Sequence, residues 1–220
     1  FSGCTALESV VIQEGVTAIG DFLFAGCAGL RNVTIPESVV SIGDSAFSGC
    51  SSLTAVDLPP NLTTIGESAF SGCTWLGGIL IPDSVTSIGS NAFKGCARLR
   101  SVSIPGGVTS FGESPFSGCT ALEDVVLQEG LASIGDSLFA GCSGLKIITL
   151  PASVSYVGSS SFSGCTSLEG IVLQEGLTSI KDSLFEGCAG VKSIIIPNTV
   201  TRIGDYAFKD CVDLESITIP

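Results

Sequence analysis

The sequence predicts an α/β solenoid, in which the chain winds through successive coils of 23 residues. Phenylalanine recurs at that constant interval, at residues 1, 24, 47, 70, 93, 116, 139, 162, 185 and 208, and no insertion interrupts the register. The other apolar positions repeat with it, so each unit can bury its apolar side chains only against the neighbouring units. Residues 1–220 are therefore predicted to form one continuous domain without a linker.

Each unit is predicted to contain one short β-strand. We number the unit from its phenylalanine at position 0, and the consensus reads F-x-G-C-x-x-L-x-x-V-x-I-P-x-x-V-x-x-I-G-D-x-A. The segment L-x-x-V-x-I, such as Leu30, Val33 and Ile35, supplies residues of high β propensity, and a proline closes it. Coils stacked in register then predict one parallel sheet.

The rest of the unit predicts a return path with a short strand and one helical turn. Val39, Ile42 and Gly43 represent the V-x-x-I-G element of this path. A polar residue follows three positions before each phenylalanine, and we interpret these residues as N-caps of a helical turn that runs through the phenylalanine. They are Asp21, Asp44, Glu67, Ser90, Glu113, Asp136, Ser159, Asp182 and Asp205. A stripe of bound cations is the alternative interpretation of this acidic ladder.

Composition excludes some classes of function. The formal net charge is −12 and only nine Lys and Arg are present, so the chain lacks the clustered cations that bind nucleic acid phosphates. No apolar run approaches the length of a transmembrane helix, and no direct membrane insertion is predicted. The chain starts and stops inside a unit without polar capping units, so we expect it to be the interior of a longer protein.

The unit resembles the BspA-like class of leucine-rich repeats. The Ile-Pro, Ile-Gly and Ala-Phe-x-x-Cys elements carry this resemblance along the whole chain, which implies a right-handed leucine-rich repeat solenoid of ten coils. It also implies a surface-exposed interaction protein that binds extracellular matrix proteins or other cells. The sequence departs from the pattern at Lys181, at Asp210, and at Gln13, Gln128 and Gln174, each of which begins a Gln-Glu-Gly triplet.

No catalytic residue, metal ligand or cofactor-binding residue is predicted. The chain has no histidine, which removes Ser-His-Asp and Cys-His catalysis, and it has no phosphate-binding or dinucleotide-binding fingerprint. The ten cysteines share position 3, so we predict one inward column of reduced, solvent-inaccessible thiols in place of disulfides or a zinc site. The protein is accordingly predicted not to be an enzyme.

The clearest break in the repeat pattern supplies a candidate partner-binding site. Trp75 stands where the other units have small or polar residues, and Gly77 and Gly78 remove side chains beside it. Together with Leu80, and between the cations of Arg31 and Arg100, these residues predict a shallow depression with an aromatic anchor. The alternative is that Trp75 only folds over the adjacent turn.

Position 7 supplies the second candidate surface, because its charges alternate over the second half of the chain. We interpret position 7 and position 10 as the outward face of the strand. Pairing between neighbouring strands would make these charges structural, whereas unpaired charges would serve recognition. The alternating series is Glu123, Lys146, Glu169, Lys192 and Glu215.

The sequence thus predicts a non-catalytic protein-binding solenoid, at a cell surface or secreted, that acts in adhesion. Its partner would be an extracellular matrix protein or a cell-surface protein. The alternative is a structural scaffold subunit of a large intracellular or organellar assembly, with other subunits as partners. Asn32 and Asn61 match the glycosylation sequon, and occupancy would establish a eukaryotic secretory route.

Overall fold

The computed structural model describes all 220 residues as β-strands and turns, and it contains no helix. Two strand series alternate along the chain. The first occupies positions 8–11 and forms what we call the strand side: β1 (Ser9–Val11), β3 (Asn32–Thr34), β6 (Ile79–Leu80), β8 (Ser101–Ile104), β10 (Asp124–Leu127), β12 (Ile147–Thr149), β14 (Gly170–Val172), β16 (Ser193–Ile195) and β18 (Ser216–Thr218). The second occupies positions 17 and 18 and forms the return side: β2 (Ala18–Ile19), β4 (Ser41–Ile42), β5 (Thr64–Ile65), β7 (Ser87–Ile88), β9 (Ser110–Phe111), β11 (Ser133–Ile134), β13 (Tyr156–Val157), β15 (Ser179–Ile180) and β17 (Arg202–Ile203).

The strand pairing confirms the predicted solenoid. Every pair is parallel, and its register is one unit of 23 residues: Val10 is opposite Val33 on the strand side, and Ile42 is opposite Ile65 on the return side. Parallel neighbours need a connection that crosses from one strand to the next, and here the remainder of the coil provides it. We number the coils from the first phenylalanine, so that coil 1 is residues 1–23 and coil 10 begins at residue 208.

The core is a set of side-chain columns that run along the solenoid. The phenylalanine rings stack in one column from Phe1 to Phe208, and Phe93 lies 5.3 Å from Phe70 and 5.0 Å from Phe116, centroid to centroid. Columns of Cys, Leu, Val and Ile complete a single cluster of 56 buried residues. Burial of this apolar surface between coils is the main source of stability, because no single coil has a core of its own.

The predicted helical turns are wrong. The residue two positions before each phenylalanine from Phe24 to Phe208 has a positive φ, for example 54° at Ser45. In most units the glycine two positions after the phenylalanine is also left-handed, such as Gly49 at 71°. Consecutive right-handed residues are needed for a helix, so these values exclude one. The backbone N–H groups bond to the next coil instead, as Phe24 N–H does to Ala46 O at 2.8 Å.

The polar residues three positions before each phenylalanine are therefore not N-caps. The aspartate side chains at this position cross to the next coil: Asp21 Oδ1 accepts a hydrogen bond from the Asp44 N–H at 2.8 Å, and Asp136 Oδ1 accepts one from the Ser159 N–H at 2.8 Å. The preference for a short acceptor was visible in the sequence. The N–H group that donates to this acceptor could not be predicted, because it belongs to the next coil and not to the acceptor's own turn.

The parallel sheet predicted for the strand side is present but divided into four segments. The hydrogen-bonded groups are β1–β3, β6–β8–β10, β12–β14 and β16–β18. Coil 3 contributes no strand to this side, and no hydrogen-bonded pairing joins β10 to β12 or β14 to β16. The gaps in this sheet therefore lie around coil 3, between coils 6 and 7, and between coils 8 and 9.

The Gln-Glu-Gly triplets mark breaks on the return side. In coil 6, β11 pairs with β13 of the following coil and not with β9, and in coil 8, β15 pairs with β17 and not with β13. The triplets bond forward, since Gly130 N–H donates to Ser153 Oγ at 3.1 Å and Gly176 N–H donates to Thr199 Oγ1 at 3.2 Å. Each triplet thus starts a new return-side ladder.

Candidate functional site

The outward face of the strand side consists of positions 8 and 10. In β3, Asn32 and Thr34 are exposed and Val33 between them is buried. The predicted outward face of positions 7 and 10 is therefore wrong. Side chains alternate between the two faces of a strand, so positions 7 and 10, an odd number of residues apart, cannot share one face. Position 7 comes directly before the strand, and its residues, such as Arg31, are exposed at the edge of the sheet.

Several outward positions carry large aliphatic side chains. Leu80 is 74% exposed, and three consecutive coils present Ile147 at 64%, Val172 at 54% and Ile195 at 74%. A single exposed aliphatic residue is ordinary on a protein surface, whereas several neighbouring ones mark an interaction surface. We call Ile147, Val172 and Ile195 the aliphatic patch. The aliphatic patch was not predicted from the sequence, because position 8, which includes Ile147, was not recognised as outward.

Two shallow depressions of the outward face lie where adjacent strands are not hydrogen-bonded. One of about 480 Å³ covers the gap at coil 3, and one of about 530 Å³ covers the gap between β14 and β16. Each contains a glycine at position 8. A Cβ at Gly78 would meet only Ser101 Oγ at 3.8 Å, and a Cβ at Gly170 would meet only Ile147 Cγ1 at 4.0 Å, so the space above both glycines is open.

The structure places the residues around Trp75 as follows. Gly78 and Leu80 line the depression at coil 3, but Trp75, Arg31 and Arg100 do not. Trp75 is 51% exposed, and the Arg98 guanidinium of the next coil lies 3.5 Å above its ring centroid. Such stacking of a cation on an indole is attractive and fixes the ring. Gly77 precedes the strand and its Cβ would meet only Thr54 O at 3.9 Å.

The alternating charges at position 7 do not form ion pairs with each other. The only ion pairs in the structure join Lys209 to Glu186, at 2.7 Å, and to Asp210, at 3.9 Å. The hydrogen bond that Lys209 donates to Glu186 raises the pKa of Lys209 and lowers the pKa of Glu186. The charges on the following residues are therefore exposed and available to a partner: Glu123, Lys146, Glu169, Lys192 and Glu215.

Position 13, at the other end of the strands, carries only acidic charges. Its charged residues are all exposed, and none is a lysine or an arginine: Glu14, Glu37, Asp83, Glu129 and Glu175. Glu14 and Glu129 each accept a hydrogen bond from a backbone N–H of the next coil, at 3.3 and 3.2 Å. Glu175 accepts none, so its carboxylate is free beside the gap between β14 and β16.

The cysteine column is structural. From Cys27 to Cys211 each thiol donates to the carbonyl oxygen of the phenylalanine 26 residues earlier, as Cys96 does to Phe70 O at 3.3 Å. All ten are free. Burial raises the pKa of Cys96 to about 12 and that of Cys73 well above its usual value. The prediction of complete inaccessibility is wrong for Cys4, which is exposed, and for Cys211, which is half-buried, because each lies in a terminal coil of the structure.

No group of three or more Cys, Asp or Glu side chains is arranged to hold a metal ion. No helix is long and apolar enough to cross a membrane.

Comparison with known families identifies the class of this solenoid. The model of the family described as "BspA type Leucine rich repeat region (6 copies)" matches residues 1–123 and 109–220. Together the matches span the chain, which belongs to this family. No curated protein matches the sequence.

Several solved structures of bacterial leucine-rich repeat proteins are similar. A leucine rich cell surface protein from Faecalibacterium prausnitzii A2-165 is 31% identical with a TM-score of 0.54, over 99% of this chain and 61% of that protein. A leucine rich repeat protein of T. pallidum is 34% identical with a TM-score of 0.60, over 76% of this chain and 68% of that one. The pneumococcal vaccine antigen PcpA, 23% identical over 96% of this chain and 62% of its own, shares the fold with a TM-score of 0.63.

Proposed function

We propose that this chain is the ligand-binding part of a protein that is secreted or displayed at a cell surface, and that it binds protein partners without catalysis. The observation that carries the proposal is the outward face of the strand side, where aliphatic residues such as Leu80 and Ile195 are 74% exposed. Solenoids commonly use such extended faces for binding. The similarity to a cell surface protein of F. prausnitzii supports the location.

Within this face, the residues around Trp75 are a proposed docking subsite. Leu80 and Gly78 line the depression at coil 3. Trp75, which precedes Gly78 by three residues, is half-exposed and presents an aromatic edge near the start of β6. The unpaired charges from Glu123 to Glu215 form a second proposed contact region. Both regions lie along the same side of the solenoid, so one large partner could contact both.

A binding assay with face-specific variants tests the proposal. The purified chain is applied to a panel of immobilised extracellular matrix proteins and to whole cells. The double variant Ile147→Glu with Ile195→Glu places charges on the outward face, and Thr63→Glu with Thr109→Glu does the same on the exposed return side. We expect at least about tenfold weaker binding from the first and unchanged binding from the second, since buried unpaired charge opposes association.

Location is tested separately in the source organism. Membrane-impermeant biotin applied to intact cells should label the full-length protein, and protein collected from the medium should account for the rest. Recovery of the protein only from inside the cells, in a complex with other subunits, would reject the surface location and favour the scaffold subunit.

A further inference from the structure

We propose that the gap between β14 and β16 is a binding site for an extended protein segment in which an apolar side chain is flanked by lysine or arginine. This inference rests on the proposed function, and it assigns the site and the chemistry of the partner. Its elements are the open floor of the gap, the aliphatic patch around it, and the acidic residues on its two ends.

The floor of the site is open because a side chain and a set of backbone hydrogen bonds are absent there. Gly170 has no side chain, and no backbone hydrogen bonds join β14 to the neighbouring β16. The resulting depression of about 530 Å³ is large enough for one large aliphatic or aromatic side chain. Other outward glycines are rare, and only Gly78, in coil 4, has the same setting at position 8.

The walls of the site are apolar and come from three coils. Ile147, Val172 and Ile195 all line the depression and are more than half exposed. Inserting a partner's apolar side chain between them would remove both apolar surfaces from water, which favours binding. The three side chains are β-branched and stiff, so they lose little rotamer freedom when a partner binds.

The charges that line the depression are both acidic. Glu169 lies before β14 and Glu175 lies after it, and no lysine or arginine lines the site. Neither carboxylate forms an ion pair or a hydrogen bond with the protein. Lys146 and Lys192 lie in the adjacent coils at the level of Glu169, so cationic groups of a partner meet their strongest attraction at the Glu175 end.

Glu175 differs from the glutamates of the other two Gln-Glu-Gly triplets. Glu14 and Glu129 occupy the same place in the two other Gln-Glu-Gly triplets, but their carboxylates accept backbone N–H groups of the next coil. Glu175 is free of such a bond, and it lies beside the edge of β14 that is not hydrogen-bonded to β16. A cation from a partner can therefore approach its carboxylate without displacing an internal hydrogen bond.

Defined peptides test the proposal by fluorescence anisotropy. The probe is the blocked, labelled peptide Lys-Val-Lys-Phe-Lys-Val-Lys. One comparison peptide replaces each lysine by glutamate, and another replaces valine and phenylalanine by serine. We expect the probe to bind at least about tenfold more tightly than either comparison peptide at physiological ionic strength, because both the apolar and the cationic contact are required.

Protein variants then locate the binding. Glu175→Gln and Ile195→Ser should each weaken probe binding about fivefold or more, whereas Glu14→Gln and Val11→Ser, at the same unit positions in coil 1, should leave it within twofold. Thiol protection of the buried cysteines verifies that each variant is folded. Equal effects of the two pairs of variants, or equal binding of the three peptides, would overturn the proposal.

The same experiments separate this inference from the proposed function. If Ile147→Glu with Ile195→Glu abolishes binding to the matrix or cell partner while the peptides show no preference, the proposed function stands and this assignment of partner chemistry is wrong. If the peptides bind as expected but neither the matrix proteins nor the cells bind the chain, the site exists and the proposed function is wrong.

Discussion

Asp44 Oδ1 accepts a hydrogen bond from the backbone N–H of Glu67 at 2.7 Å, so that a side chain of one coil holds the backbone of the next. Asp21 and Asp182 make the same bond to the following coils. The glutamates at this position do not, since the side-chain bonds to the next coil come from Asp21, Asp44, Ser90, Asp136 and Asp182 and not from Glu67 or Glu113. The shorter aspartate side chain matches the distance to the adjacent coil.

This relationship predicts different effects for aspartate and glutamate at one position. Asp44→Ala should lower the free energy of unfolding by about 1 kcal/mol, the usual net value of one hydrogen bond. Asp44→Asn keeps the Oδ1 acceptor and should cost less. Glu67→Ala is the matched control and should have little effect. Urea denaturation measures all three, and equal losses from the two alanine variants would contradict this role.

The sequence was sufficient to predict the periodic part of the structure. The constant interval of phenylalanine fixed the coil length and the inward columns, because identical units stacked in register must align identical residues. The sequence was insufficient to predict the conformation of the turn before each phenylalanine and the gaps in the strand-side sheet. Asp44 suits a helix N-cap as well as a bond to the next coil, and the unpaired junction between β14 and β16 depends on how two whole coils pack.

The candidate site was only partly predictable for the same reason. Trp75 is conspicuous because it interrupts a pattern, and a pattern break is visible in one sequence. The depression beside Glu175 arises from Gly170, from an absent strand pairing and from residues of neighbouring coils. Only the alternation of a strand could have indicated Ile147 as outward, once the strand was placed correctly.

Thiol labelling of the native protein should distinguish the terminal coils from the interior. We expect Cys4 to react first and Cys211 next, because Cys4 is exposed and Cys211 is half-buried. The eight interior thiols should react at least about a hundredfold more slowly, since they require local opening of the stack. Mass spectrometry of the labelled peptides gives the order. Rapid labelling of Cys96 in folded protein would show that the column is accessible.

Alkaline pH should destabilise the protein through the same thiols. Burial raises the pKa of Cys96 from 9.0 to about 12, so above pH 9 the thiol ionises in the unfolded chain and stays neutral in the folded one. The unfolded state then binds fewer protons, and stability falls as pH rises, by up to about 1.4 kcal/mol per pH unit for each such thiol.

The matched variant for this pH effect is Cys96→Ala. Its stability at neutral pH should be lower, because a packed side chain is lost, but its decline between pH 9 and 10.5 should be shallower than that of the parent protein. Urea denaturation under reducing conditions gives both slopes. The two proteins differ only in this thiol, so identical slopes would mean that Cys96 does not contribute.

Trp75→Ala should separate an anchoring role from a structural one. A tryptophan anchor commonly contributes 2 kcal/mol or more, so the variant should bind the matrix or cell partner roughly thirtyfold more weakly with a nearly unchanged thermal midpoint. Arg98→Ala removes the guanidinium that stacks on the ring and is the control. A lower midpoint in both variants with intact affinity would assign Trp75 to the fold and direct the search to the Glu123 to Glu215 charges.

Glycine at position 19, directly after the return strand, should be required only where a coil packs closely on the one before it. A Cβ at Gly89 would lie 2.5 Å from the backbone nitrogen of Glu67, whereas a Cβ at Gly20, the same position in coil 1, would meet nothing within 4 Å. Gly89→Ala should therefore lower the free energy of unfolding by about 1–3 kcal/mol through overpacking, and Gly20→Ala should be nearly neutral.

The natural exception at position 19 supports this explanation and supplies its second test. Lys181 replaces the glycine in coil 8, where β15 is not hydrogen-bonded to β13, and its ammonium lies 5.1 Å from the Tyr156 ring centroid. Because no ladder draws these two coils together, a side chain is tolerated there. Lys181→Gly should thus bring no gain in stability, and Gly89→Lys should be at least as harmful as Gly89→Ala. Urea denaturation of the four variants decides the matter, and a Gly20→Ala loss equal to that of Gly89→Ala would show that contact with the preceding coil is not the cause.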